Sequence, residues 1–221
     1  MKPTSRLTLD FAQRMVNDLA TNNVLRGSWA EQLVAHYLGL TDLPPNWSYY
    51  DMRDVSGREI SVKHSVGPRA SFVVTMNQWA WDHELHAAQP VTEGWRGGEA
   101  AEPQYWCHAY VFAWLDCDSS APSLDIVLNS ELWMFATLSR ADMYRNFVLR
   151  RAQPQKSIGL SGLRGLTSFV HGSELAASVG RIRTTDTDGV PPRRMDIRPV
   201  PGIGEPVEVG EAVVLPESVV G

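Results

Sequence analysis

Apolar positions recur at helical spacing along the first forty residues and begin to alternate beyond Pro45. Leu9, Phe11, Met15, Val16 and Leu19, preceded by Thr8, fit one face of a helix over residues 9 to 21, with Asn22-Asn23 as its stop. Ser28-Trp29-Ala30-Glu31 has the form of a capping box, and Leu33, Val34, Tyr37 and Leu38 extend an apolar stripe as far as Gly39. This pattern predicts a second helix over 29 to 38. Pro44-Pro45 breaks it off, and the segments on either side of Asp54-Val55-Ser56-Gly57 alternate as the arms of a β-hairpin do.

Further along, the pattern predicts a strand over Ala70 to Thr75, a helix over Gln78 to Ala88 and a loop at Glu93-Gly94-Trp95-Arg96-Gly97-Gly98. Cys107 to Leu115 is nearly continuously apolar, as in a strand covered on both faces, and Leu132 to Leu138 is a second such stretch. Ser139 caps a helix running to about Arg151, followed by a short strand at Lys156 to Leu160 and a helix at Leu163 to Phe169. Helices and strands in this order describe an α/β layer. Beyond Gly180 six prolines occur and only Pro206 to Val214 has strand character. The expected organisation is a domain over 1–178 and an extended Pro-rich C-terminal arm over 179–221.

Composition adds little to this outline but removes several classes. At 221 residues, 43% apolar and 20% charged, the chain is long enough for a substantial core without disulfides. No run approaches the roughly 18 apolar residues that span a bilayer. The segment from Met1 to Asn22 alternates charged and apolar residues, which predicts no secretory leader and a cytoplasmic protein. Cys107 and Cys117 flank one apolar strand and read as buried free thiols. The net charge of −5 argues against a nucleic-acid partner when taken whole. Its distribution argues otherwise, because residues 140 to 200 hold eleven of the twenty Lys and Arg against five acids. A dipolar chain of this kind can present a basic face.

The hairpin is where chemistry enters. A type I turn closed by Gly57 in the left-handed conformation sets Arg53 opposite Glu59, Met52 opposite Ile60 and Asp51 opposite Ser61. Asp51, Arg53, Glu59, Ser61 and Lys63 then share one face, and Tyr50, Met52, Ile60 and Val62 the other. A carboxylate beside a lysine on adjacent strands suits phosphodiester hydrolysis. Oxygen ligands hold Mg²⁺, which offsets charge on the scissile phosphate, and a lysine positions or activates water.

With these residues in place, the chain resembles the PD-(D/E)XK phosphodiesterase superfamily, which includes many restriction endonucleases. Asp51 matches its first acid, Lys63 its lysine and Glu31 its helical glutamate, while Val62 would lend a backbone carbonyl to the metal. The resemblance extends over residues 27 to 175, through the stretches Gly27 to Leu38, Tyr50 to Ser65, Tyr110 to Leu115 and Gln155 to Leu163. It implies a restriction-endonuclease-like core, a central mixed β-sheet flanked by helices. It further implies a Mg²⁺-dependent (or Mn²⁺-dependent) DNA endonuclease of restriction or defence type, acting as a homodimer, with a DNA methyltransferase or another defence component as partner. The departure is Ser61, which stands where the family has its second acid. Some restriction enzymes of the superfamily carry serine there and recruit another carboxylate; here Glu31 is favoured over Glu59, two residues before Ser61 on the same strand.

Each of these residues also has an ordinary explanation. A hairpin face of Asp, Arg, Glu and Lys is commonly a solvated set of ion pairs, and Glu31 fits the cap of its own helix. With Ser61 in the acid position, an inactive nucleic-acid-binding or assembly module keeps the fold without the chemistry. A regulatory protein that binds another protein through its acidic half is the third reading. Arg150, Arg151 and Lys156, in the basic segment, are the expected phosphate contacts. His83, His86, Cys107 and His108 lack the spacing of a zinc site, and Trp79, Trp81, Trp95 and Trp106 fit core or interface better than base stacking.

Overall fold

A computed structural model describes residues 12–40, 50–77, 79–82, 87–90 and 103–183, with backbone alone at 79–82 and 87–90. The start of the first helix, Pro44-Pro45, His83, His86, the 93–98 loop and the arm from 184 onward lie outside the described residues. So do the side chains of Trp79 and Trp81.

Helix α1 covers 12–18, and after a turn α2 runs from Asn23–Leu38. It begins well before Ser28. Asn22 is its cap, with Oδ1 accepting the N–H groups of Val24 at 2.9 Å and Leu25 at 3.3 Å. Asn22 therefore starts α2 instead of stopping the first helix, which ends at residue 18 and not at the expected 21, and Ser28 is an exposed residue inside α2. Glu31 is consequently not a capping residue. The C-terminus is as expected, with Gly39 at φ 69°.

The main sheet has the order β1-β2-β6-β7-β9, built from β1 (Met52–Arg53), β2 (Glu59–Val66), β6 (Ala109–Leu115), β7 (Trp133–Ser139) and β9 (Val170–His171). Strands β2 and β6 are parallel and the other pairs antiparallel, so the sheet is mixed. The expected strand at 70–75 is shorter, β3 (Ser71–Val73), and pairs outside the main sheet with β8 (Ser157–Gly159). The helix expected over Gln78 to Ala88 is instead two antiparallel strands, β4 (Trp79–Asp82) and β5 (Ala87–Pro90). Alternating tryptophans at 79 and 81 favour a pleated strand over a helix turn.

Each face of the sheet carries its own core. On one, α2 and α6 (Gly172–Gly180) cover Ile60, Val62, Val111, Leu115, Trp133 and Phe135. On the other, Tyr110, Phe112, Trp114, Ala136 and Leu138 pack with Phe72, Met143, Phe147, Ile158 and Leu163. These last come from β3, α4 (Arg140–Tyr144) with a π turn at Arg145–Leu149, β8, and α5 (Leu160–Arg164). Helix α5 sits three residues earlier than the expected 163–169, and neither α6 nor the short α3 (Leu124–Leu128) was legible in the periodicity. Cys107 and Cys117 are both free thiols; Cys107 is buried as expected, whereas Cys117, beyond the end of β6, is half-exposed.

Tyr37 of α2 closes against the first residue of α6. A Cβ at Gly172 would stand 2.1 Å from Tyr37 Cζ, so any side chain here would displace the Tyr37 ring. The division expected between 178 and 179 falls inside α6, where Leu175 and Val179 are buried, and Ile182 beyond it is also core. Among the described residues no helix is long and apolar enough to cross a membrane.

Candidate active site

The hairpin has the register that its turn dictates: Met52 pairs with Ile60 and Arg53 with Glu59. Gly57 adopts φ 75°, its N–H donates to Asp54 O at 2.9 Å, and Asp54 Oδ1 accepts from Ser56 N and Arg58 N at 2.9 Å each. Arg58 extends the hairpin to the far helix, with Nη1 donating to the Val179 carbonyl near the end of α6 and lying 3.5 Å from Asp54 Oδ2.

Asp51 departs from the expected placement opposite Ser61. Strand β1 begins only at Met52, and Asp51, just before it, donates its N–H to Ile60 O at 2.9 Å. Its carboxylate then takes over from the backbone, Oδ2 accepting the Val62 N–H at 2.5 Å. The side chain thus satisfies a strand-edge donor that the shortened β1 leaves behind. The same contact seats a carboxylate oxygen beside the Val62 peptide.

Neither face of β2 is solvated. Glu59, Ile60, Ser61 and Val62 are all buried, and only from Lys63 onward is the strand half-exposed. The expected chemical face lies under the second core, with Ser61 level with Tyr110 and Lys63 with Phe112 on the neighbouring strand. The reason is that a parallel pair inside a three-layer fold is covered on both sides. Glu59, inside this face, is held by Arg53 at 3.1 Å, and His108 Nδ1 lies 3.5 Å from Glu59 Oε2. Its carboxylate is therefore held in an ion pair with Arg53 at the start of β2.

Glu31 stands differently. Burial pushes its carboxyl up to about 7, the negative charge of Asp51 pushes the same way, and the Lys63 ammonium partly opposes both. Glu31 from α2, Asp51 from just before β1 and Lys63 from β2 therefore lie within electrostatic reach of one another. Two carboxylates with too little positive charge between them form a site that a divalent cation would relieve. Their donors would be oxygens, chemistry that suits Mg²⁺, which keeps several of its waters and takes few protein carboxylates. Among the described residues no group of three or more His, Cys, Asp or Glu is placed to hold a metal by itself.

His64, beside Lys63, is a residue that periodicity did not single out. Its Nε2 lies 3.1 Å from Asn23 Oδ1, and a Cβ at Gly27 would stand 3.1 Å from its Cε1, so glycine on α2 lets the ring come this close. Burial and the nearby Arg26 guanidinium depress its pKa. Arg26 is itself buried, donating through Nη1 to Ala20 O at 2.7 Å. A glycine and an arginine one helical turn into α2 are the only sequence signal for this contact, and they became readable once the helix start was known.

Arg150 and Arg151 follow the π turn and Lys156 precedes β8; all three are exposed. Of the zinc candidates within the described residues, Cys107 is buried and His108 accepts the Glu59 N–H at 3.0 Å. Trp106 is buried and donates to Asn77 O, a core role. The chain matches no protein-family model and no curated protein.

Proposed function

We propose that this chain is a metal-dependent nuclease with a PD-(D/E)XK-like core, hydrolysing phosphodiester bonds of DNA in a restriction or defence setting. The observation that supports the reading is that the charges of Asp51 and Lys63 both act on the Glu31 carboxyl, with Asp51 hydrogen-bonded to the strand that carries Lys63. Glu31 and Asp51 with the Val62 carbonyl would hold Mg²⁺, Glu31 standing in for the acid missing at Ser61. Mg²⁺ when bound supplies a Lewis acid that offsets charge building on the phosphate. Asp51 is pre-set by its hydrogen bond to Val62 N, which fixes the carboxylate before any cation arrives. Lys63 holds a cationic N–H beside the same carboxylates, where it orients the phosphate or the attacking water.

Cleavage of plasmid and single-stranded DNA in Mg²⁺ or Mn²⁺ tests the proposal. Asp51→Asn and Lys63→Ala should each lower the rate by at least a hundredfold, since removing one charge-stabilising group costs about that much. Glu59→Gln should retain cleavage. A native chain that cuts neither substrate sinks the enzyme, and loss of cleavage in Glu59→Gln with retention in Glu31→Gln means that Glu59 is the replacement acid.

One observation favours a second reading. Ser61 is buried against the second core, level with Tyr110, so the position of the family's second acid carries no charge and little access. An inactive module that binds nucleic acid on this fold is the alternative, and DNA binding that weakens with salt in the absence of any cleavage would establish it.

A further inference from the structure

Between Asp142 and Glu174 the chain carries five Lys and Arg and no acid. Arg145 is paired with Asp142 at 2.9 Å, and Arg164 lies over the Trp114 ring. Arg150 and Arg151 are organised otherwise, both by Asn146. Arg150 Nη1 donates to Asn146 Oδ1 at 3.4 Å and Arg151 Nε to Asn146 O at 3.5 Å, while Asn146 Nδ2 is anchored on Asp142 O at 2.9 Å. Each bond is long and uses one of five guanidinium donors, so both arginines are aimed without being spent.

With Asn146 they line a groove of about 420 Å³ together with Ile158, Gly159, Gly162 and Leu166. Leu166 is exposed, as is Leu149 beside Arg150. Gly159 is informative because nothing in the fold demands it. Its φ is −75°, open to any residue, and an added Cβ would meet nothing nearer than Ala70 O at 4.0 Å. The missing side chain leaves the groove open where a ligand would approach the backbone. Gln155 is also in the wall, its Nε2 donating to Ser157 O at 2.5 Å.

We infer that this groove holds a single sugar-phosphate strand, phosphates on Arg150 and Arg151 and the sugar and base against Ile158, Leu166 and the glycine backbone. Guanidiniums suit phosphate oxygens geometrically, the apolar lining suits the less polar part of a nucleotide, and the volume matches a ligand of nucleotide size. The inference rests on the nucleic-acid part of the proposed function and not on cleavage. Asn146 is a positioning residue here.

Anisotropy of a labelled single-stranded oligodeoxynucleotide and of the matching duplex, with the full chain in EDTA over a salt series, tests it. The double variant Arg150→Ala/Arg151→Ala should bind the single strand at least tenfold more weakly, and its log Kd against log salt slope should fall by about 1.4, or about 0.7 per phosphate lost. Gly159→Leu should weaken binding by a similar factor with the slope unchanged, since it fills the groove without removing charge. Native-like binding by Gly159→Leu overturns the groove, because charge alone would then suffice; so does native-like binding by the arginine variant, or no binding by the native chain. Tighter binding of the duplex overturns the single-strand assignment. Thermal melts confirm that the variants fold, and the exposed arginine pair keeps the test open if Gly159→Leu does not. Cleavage measured in parallel separates the proposals: cutting that survives both groove variants overturns the groove alone, and groove-dependent binding without cutting overturns the nuclease alone.

Discussion

Glu31 gains a proton on folding. Its carboxyl titrates near 4.5 in an open chain and near 7 in the fold, so between those pH values the folded state binds the proton and the unfolded state has released it. Stability of the metal-free chain therefore falls as pH rises through this window and levels off above about 7. Glu31→Gln abolishes the dependence. In EDTA the variant should be more stable than the native chain at pH 8, by about 1 kcal/mol once solvent screening of a half-buried group is allowed for, and the two should converge near pH 4.5. Chemical denaturation at both pH values measures it, and a difference independent of pH would mean that Glu31 carries no such strain. A residue that destabilises its own fold in this way fits a ligand site better than a cap. The sequence pointed to Glu31 through a motif order, yet supplied a competing role as a capping residue that the structure removes. Asp51 was legible as the acid at the end of a strand. Its bond to Val62 N was not, because it depends on where β1 begins, and no turn rule sets that.

At the scale of elements, legibility followed how local the deciding chemistry is. The hairpin needed only Asp54 and Gly57, and its register is as the turn requires. Helix α2 was misplaced at its start because asparagine serves equally at the end of one helix and at the beginning of the next; the difference lies in whether Oδ1 reaches forward to Val24 and Leu25. Two substitutions separate the assignments. Asn22→Ala should cost about 1 kcal/mol by chemical denaturation, as loss of a side-chain cap does, whereas Ser28→Ala, exposed within the helix, should lie within about 0.5 kcal/mol of the native chain or stabilise it slightly. The reverse order would restore the helix to 29–38. Helix α6 was missed for a different reason. Its sequence is only nine residues long with a glycine at each end, and what places it is contact with distant residues: Tyr37 over Gly172, and Ser178 Oγ 2.7 Å from Thr137 Oγ1. Tertiary packing of this kind overrides propensity and leaves little trace in a window of ten residues.

Across the whole molecule, α6 ties the candidate site to the rest of the fold. It packs with α2, which carries Glu31, and its Val179 carbonyl receives the buried Arg58 of the hairpin that carries Asp51. An expectation that the folded unit closes at residue 178 is therefore testable against one in which it runs on through Ile182. A chain ended after Ser178 loses Val179 and Ile182, both buried, and leaves Arg58 without its carbonyl. Each buried aliphatic side chain contributes about 1.5–3 kcal/mol, and stranding a buried charged donor adds about 1–3 kcal/mol more. A chain ended after Arg183 keeps all three interactions. The longer truncation should thus exceed the shorter in unfolding free energy by at least about 4 kcal/mol, a large part of the roughly 5–15 kcal/mol of an ordinary domain. The same comparison reads on function, because loosening α6 frees both the helix of Glu31 and the hairpin of Asp51. If the proposed nuclease activity holds, the chain ended after Ser178 should lose DNA cleavage even at temperatures where it remains folded by circular dichroism. Equal melting of the two truncations would show that α6 ends its contribution at residue 178 and that Arg58 holds the hairpin through Asp54 alone.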